Sequence, residues 1–215
     1  QGDTVAIRNA NDGISLAQTA ESAMGNVANI LQRLSELAVE SANGTITDTD
    51  RSNLNVEVTQ LTAQIGDIAS KTNFNGQNLL DGSVSGGFQL QVGTAAADTV
   101  TMSIDKMDTT TLGINSIDLS TQAGATSGLT SINSAITSVA SSRAKMGAYE
   151  SRLQSTVENL TSTVTNLNTS ASGIEDADFS TETTNLAKAQ ILSQAATAML
   201  AQANQSQQSV LKLIQ

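Results

Sequence analysis

Apolar side chains recur along much of the chain at alternating steps of four and three residues. Ala20, Met24, Val27, Leu31, Leu34 and Ala38 form one such stripe, and Ile14 and Ala17 extend it backward. That spacing places them on one face of an α-helix and predicts a helix over about residues 12–42. Asn43-Gly44 ends it, because both residue types tolerate the left-handed backbone found at helix C-termini. Thr47, with Asp50 three positions on, has capping-box spacing, and Asp48 adds negative charge at the new helix start. Leu54, Val58, Leu61, Ile65 and Ile68 carry the alternation through a second helix. A loop of about five residues between the two makes them antiparallel neighbours. Asn75-Gly76 predicts a turn after the second helix.

The period then changes. Phe88, Leu90 and Val92 alternate at every second position, as do Val100, Met102 and Ile104, with a Gly-containing stretch between the runs. This is a β-hairpin signal. Residues 106–127, rich in Thr, Ser and Gly, read as an irregular connection suited to a longer variable insert in relatives. From Leu129 the heptad returns: Ile132, Ile136, Val139, Arg143, Met146, Glu150, Leu153, Val157, Leu160, Val164, Leu167, Ala171 and Ile174 follow without a break. Arg143 and Glu150 are the two polar interruptions. The register spans about 46 residues, or roughly 69 Å, and its strict 3.5 repeat predicts left-handed supercoiling against partner helices. Gly173 and Glu175-Asp176-Ala177-Asp178 are expected to break this helix, with Asp178 or Ser180 capping a last one. Leu186, Ala189, Leu192, Ala196, Met199, Ala203 and Val210 form its thin stripe, so this helix is expected to fray in an isolated monomer.

The fold class expected is mainly α: an elongated bundle of long antiparallel helices with coiled-coil packing, plus a small β-hairpin region. The expected divisions are 1–78 and 128–176 as two halves of a helical rod, 79–127 as hairpin and connection, and 177–215 as a terminal helix. Total lack of Pro permits such long helices.

Composition narrows the chemistry. The 215 residues include no Cys, no His and no Trp, with one Tyr and three Phe. Disulfides, thiolate nucleophiles, Cys zinc sites and Ser-His-Asp relays are thereby excluded. A net charge of −10 opposes binding to a phosphate backbone. No apolar run is long enough to span a bilayer. The start, Gln1-Gly2-Asp3-Thr4, lacks Met, a basic region and an apolar region, so no cleavable signal is visible and a trimmed chain is expected. The helix flanks carry Ser, Thr, Asn and Gln where coiled coils usually carry Glu and Lys, as in Ser151 to Thr165. Either these faces are simply solvated, or they are later buried against other copies. A contact that does not close on itself then builds a helical filament.

Some short motifs compete with a structural role. Ser142-Arg143-Ala144-Lys145 fits the S-x-x-K pattern of acyl-transfer enzymes, but it lies inside the heptad helix with no companion motif, and chance is the better account. Glu175, Asp176 and Asp178 lack the spacing of a calcium loop and read better as helix-start charges. Asn43-Gly44-Thr45 and Asn168-Thr169-Ser170 fit the glycosylation sequon. No catalytic, cofactor or metal site is expected. A glycan-binding module or glycan-cleaving enzyme would want aromatic platforms or paired carboxylates, and only four aromatic residues are present.

Several segments resemble bacterial flagellins. Arg8-Asn9-Ala10-Asn11-Asp12-Gly13-Ile14-Ser15 is similar to their RNANDGIS motif, and Gln32 to Val39 to their QRxxELAV segment. Thr72-Asn73-Phe74-Asn75-Gly76 resembles their T-x-FNG turn. Ile174 to Asp178, Ala189-Gln190-Ile191-Leu192, and Ala201 to Gln205 followed by Val210-Leu211 resemble their C-terminal signatures. The likeness covers about residues 5–82 and 129–215, in the family's order.

The resemblance implies a structural subunit of the flagellar filament, exported to the cell exterior without a cleavable signal. Its implied partners are other flagellin subunits, the export apparatus, a secretion chaperone and the filament cap, with no nucleic acid, membrane insertion or cofactor. It further implies a chain truncated at its N-terminus, with a short variable region, that stays monomeric. A hook–filament junction protein is the alternative, though the RNANDGIS and QRxxELAV pair favours the filament subunit. Flagellins are also ligands of an innate Toll-like receptor, and the family's contact patch falls on Arg33, Leu37 and Glu57 here. Arg33 and Leu37, four apart, share a helix face. The plainer alternative is a solvated Arg33 and a packing Leu37. Ser35 stands where many stimulatory flagellins have a basic residue.

Overall fold

The computed structural model describes residues 1–84 and 86–214. The side chains of Asp176, Ala177, Gln208, Val210 and residues from 211 onward lie outside that description. The places of Asp176 in the acidic cluster and Val210 in the last stripe therefore lie outside the described residues. The element order is α1 (Gly2–Ala42), α2 (Asp48–Lys71), β1 (Asn73–Phe74), β2 (Gln77–Asn78), β3 (Phe88–Gln91), β4 (Thr99–Met102) and α3 (Gln122–Ile214). The chain is 73% helical, with a small antiparallel strand region. It divides into two compact units, Gln1–Ser162 and the part from Thr163 onward.

In the first unit, α1, α2 and the first part of α3 share one core. The predicted stripe of α1 is buried from Ala17 through Ala38, with Ile14 half-buried, and α2 adds Val58 and Ile65. Ile132, Val139 and Met146 of α3 close the core. Each fully buried Leu or Ile in such a core stabilises by about 1.5–3 kcal/mol. The segment after β4 is irregular, as expected, yet it is not a surface decoration. Met107, Leu112, Ile114 and Leu119 all point inward.

Helix α1 begins ten residues before the expected boundary, at Gly2 rather than residue 12. Its added turns bury Ala6 and Ala10, and Gly13 just beyond them is buried too, small residues that carry almost no hydrophobic signal. Their size is what brings α1 close to the hairpin. The Asn9 amide Nδ2 donates to the Gln91 carbonyl at 2.9 Å, and a Cβ at Gly13 would collide with Leu90 and crowd Leu153. In the hairpin, Leu90 pairs with Val100 and Phe88 with Met102. The first pair packs on a small cluster of Ala10, Val100 and Leu153.

Asn43 ends α1 in an extended conformation, φ −66° and ψ 126°, not through the left-handed backbone expected of Asn43-Gly44, whereas the next turns follow their local chemistry. Thr47 and Asp50 form the reciprocal capping box at 3.3 and 3.1 Å. Asn75 and Gly76 both have positive φ, 50° and 79°, the two left-handed residues a tight β1–β2 hairpin needs. Arg51 rivets the α1–α2 loop. Its buried guanidinium donates to the Ser41 carbonyl at 2.6 Å and to the Asn43 carbonyl at 3.2 Å. Thr121 caps α3, its Oγ1 accepting from the Gly124 amide at 3.0 Å.

Helix α3 corrects the reading of its second half. The expected break at Gly173 and the fresh cap at Asp178 or Ser180 do not occur, and the backbone is helical from Gln122 to Ile214. A lone glycine costs a helix only about 1 kcal/mol, and there is no Pro to remove a donor or clash with the preceding turn. Glu175 and Asp178 are therefore mid-helix residues, not helix-start charges. Along α3, Ser and Thr hydroxyls donate to the carbonyl four residues back, as in Ser134 to Thr130, Thr137 to Asn133, Ser155 to Ser151 and Thr161 to Val157. In the second unit Val164 is half-buried and every other described side chain is exposed.

Candidate functional site

The acyl-transfer motif can be judged from its protons. Ser142 is buried, and its Oγ donates to Asp105 Oδ2 at 2.7 Å. Lys145 Nζ donates to the same oxygen at 2.8 Å. The salt-linked Lys145, then Ser142, hold the Asp105 carboxyl below its ordinary range, while Asp105 pushes Lys145 up. A charged lysine cannot take a proton from Ser142, and the serine proton is already committed to a carboxylate. The trio instead pins the chain leaving β4 onto α3, joined by Tyr149, whose hydroxyl meets Ser103 Oγ at 3.1 Å.

The receptor-patch residues separate. Arg33 on α1 and Glu57 on α2 come together in an exposed, forked ion pair, Nε to Oε1 at 2.8 Å and Nη2 to Oε2 at 3.4 Å. Glu36 takes the remaining guanidinium nitrogen at 3.0 Å. Hydrogen bonds donated to Glu57 first, then to Glu36, hold the Arg33 proton still more firmly than usual. Leu37 does not join them at the surface. It is fully buried in the three-helix core, because it lies on the inward side of α1 beside Leu34 and Ala38. Of the three, Arg33 and Glu57 are accessible. Val39 and Val56, 57% and 63% exposed, are apolar surface residues on the same two helices that the periodicity did not single out.

The largest run of uncovered apolar side chains is in the second unit. Leu167, Ile174, Phe179, Leu186, Leu192 and Met199 are each at least half exposed. The heptad continues into this unit from the first, but its seam residues have nothing over them. Leu186, Leu192 and Met199 were legible as a stripe. Phe179 and Leu200 fall on the same side at about 100° per residue and widen it, while Ile191 stands apart. Among the described residues no helix is long and apolar enough to cross a membrane.

These features match known proteins at both ends of the chain. Residues 1–85 match the bacterial flagellin N-terminal helical region, and residues 129–214 the bacterial flagellin C-terminal helical region. A flagellin of Halalkalibacterium halodurans is 40% identical over 211 residues, covering 97% of this chain and 77% of the relative. A flagellin of Xenorhabdus nematophila is 36% identical over 255 residues, covering all of this chain and 81% of the relative. Against the longer B-type flagellin of Pseudomonas aeruginosa, identity is 47% over 112 residues, and the match spans 23% of that protein. The crystal structure of Bacillus cereus flagellin superposes with a TM-score of 0.63 at 34% identity, over 76% of this chain and 94% of that one. A heptad helix with an uncovered seam, a hairpin seated on small residues of α1 and a serine–lysine pair locked out of catalysis thus meet matches at both ends, and the chain belongs to the bacterial flagellins, a family of structural, non-enzymatic proteins of the flagellar filament.

Proposed function

We propose that this chain, expected to stay monomeric by itself, enters filaments together with other flagellin subunits through the exposed apolar face of residues 167–200, as a component of an extracellular filament that serves motility. The observation that carries the proposal is that face itself, seven large apolar side chains 55–73% exposed on one helical segment. Covering each fully would contribute about 1.5–3 kcal/mol, so a neighbour supplying a matching stripe gives the segment what it lacks alone. Past Glu182 the stretch to Leu200 carries a single charge, Lys188, so little like-charge repulsion opposes packing there. A repeated, non-closing contact of this kind extends as a helix of subunits. Export through the flagellar apparatus, a chaperone covering the same face before assembly, and a cap guiding incorporation belong to this reading.

The test is immunogold electron microscopy of flagellated cells making the chain alongside their own flagellin. The chain is expected in filaments, and Leu186→Asp and Met199→Asp variants are expected to be excluded while the first unit stays folded. Equal incorporation of the variants would refute the assignment.

A second reading concerns innate recognition by a Toll-like receptor, supported by the way Arg33 and Glu57 meet from two helices in one exposed cluster. Leu37 would act there by fixing α1, not by touching the receptor. Arg33→Ala and Glu57→Ala are expected to weaken the response of a receptor reporter cell, and an unchanged response would rule the patch out.

A further inference from the structure

A peroxide attacks soft nucleophiles, and this chain offers one kind. It has no Cys whose thiolate would compete, so its five methionine thioethers are the groups such an oxidant reaches first. The fold sorts these five into two classes. Met24 on α1, Met102 at the end of β4, Met107 in the segment after it and Met146 on α3 all close on one core, and each is 0–1% exposed. An oxidant reaches them only when the first unit opens. Met199, in the second unit, is 72% exposed. It stands seven residues after Leu192, on the same helical face. The residues one turn to either side, Ala195, Ala196 and Ala203, are too small to shield its sulfur.

We propose that Met199 is a redox-sensitive modification site: a peroxide converts its thioether to the sulfoxide while the chain is unassembled, and the sulfoxide keeps the chain out of filaments. The second half rests on the reading that the face of residues 167–200 packs against neighbouring subunits. In the step itself a sulfur lone pair attacks one peroxide oxygen. The S–O bond forms as the O–O bond breaks, and the displaced hydroxide collects the proton of the transferred oxygen and leaves as water. Sulfur gives up two electrons and the peroxide takes them. A flexible apolar side chain thereby becomes a polar one with an accepting oxygen. The apolar side chains of the face hold no donor for it. The Thr197 hydroxyl, two positions back, already gives its proton to the Ser193 and Gln194 carbonyls at 3.1 and 2.9 Å. Packing a second apolar stripe over Met199 would then bury an unsatisfied acceptor. The same packing, once made, shuts the oxidant out, so the site is open only before assembly.

The whole chain is treated with hydrogen peroxide and its peptides are followed by mass spectrometry. One added oxygen is expected at Met199, at least about tenfold faster than at any of the four core methionines. The tyrosine-reported melt of the first unit is expected to stay where it was. Untreated chain, oxidised chain and peroxide-treated Met199→Leu, which keeps size and apolarity, are then each mixed with other flagellin subunits and filament fragments. Oxidised chain is expected to enter filaments at least about fivefold less than untreated chain, the effect of one stranded acceptor. Methionine sulfoxide reductases acting on both epimers are expected to restore entry, and peroxide is expected to leave Met199→Leu unaffected. A core methionine that oxidises as fast as Met199 would overturn the site. Oxidised chain that enters filaments as well as untreated chain, or a peroxide-treated Met199→Leu excluded like the parent, would overturn its effect on assembly. Untreated chain that stays out of filaments overturns the packing reading and that effect with it, whereas the site stands or falls on the mass spectra alone.

Discussion

Replacing Arg51 by Ala isolates what holds the α1–α2 loop. The guanidinium side chain is 5% exposed and reaches three acceptors. Ser41 is fully buried, so its carbonyl, now bonded at 2.6 Å, would be left without a donor or water. A hydrogen bond from a charged donor is worth about 1.5–3 kcal/mol, and an orphaned buried acceptor costs about 1–3 kcal/mol. These overlap, being two descriptions of one lost bond. The Asn43 carbonyl is exposed and recovers water, and the pair with Asp48, whose side chain is 89% exposed, adds little. Loss of the buried stem brings the expected total to about 3 kcal/mol, or a fall in Tm of about 6–12 °C. Arg51→Lys retains the charge but not the fork that spans two carbonyls, and should fall between. The single tyrosine, Tyr149, is in the first unit and there is no Trp, so tyrosine fluorescence follows that unit's melting selectively. A Tm for Arg51→Ala within about 2 °C of the parent, or a lysine variant as stable as the parent, would show that the rivet does not carry the loop.

Other outcomes follow from the same coordinates. Gly13→Ala gains about 1 kcal/mol of helix propensity but overpacks against Leu90 and Leu153 at a cost of about 1–3 kcal/mol, so a net loss is expected in a thermal melt. Gly147→Ala meets nothing within 4 Å and should instead stabilise by about 0.5–1 kcal/mol. Thr47→Ala removes one arm of the capping box and should cost about 1 kcal/mol by urea unfolding. Ser83, then Asn78, hold the Asp81 carboxyl down to about 2, and Lys145, then Ser142, lower Asp105. Lowered carboxylates stabilise above the ordinary value near 4 and lose that contribution as pH falls through their folded values. A Tm that dropped less in Asp105→Asn than in the parent between about pH 5 and pH 2 would agree with this, and parallel curves would not.

The parts of the fold legible in the sequence are those where large apolar residues mark the period. The stripe from Ala17 to Ala38 and the α2 stripe were readable because Leu, Ile, Val and Met stand at inward positions. The first turns of α1 were not, since Ala6 and Ala10 are buried by their smallness, and smallness leaves no hydrophobic trace. Gly173 and the acids after it looked like a stop, yet their combined cost is below what continuous backbone hydrogen bonding returns. Leu37 was placed on the Arg33 face by a four-residue step, but at 100° per residue that step turns about 40°, enough here to carry a side chain from rim to core. Arg51 and Ser142 owe their roles to partners on other elements, which no local pattern announces. Arg33 and Glu57 stand 24 positions apart, and only the α1–α2 packing brings them together.

The hydroxyls along α3 that bend back to their own helix have a consequence for anything that settles on them. A threonine whose proton is already spent on the carbonyl one turn earlier makes no demand on an approaching surface. Such a face can lose its water to many different neighbours without stranding a donor. It can also slide along them without surrendering a specific bond, behaving as a lubricated contact where a row of lysines and glutamates would act as a toothed one.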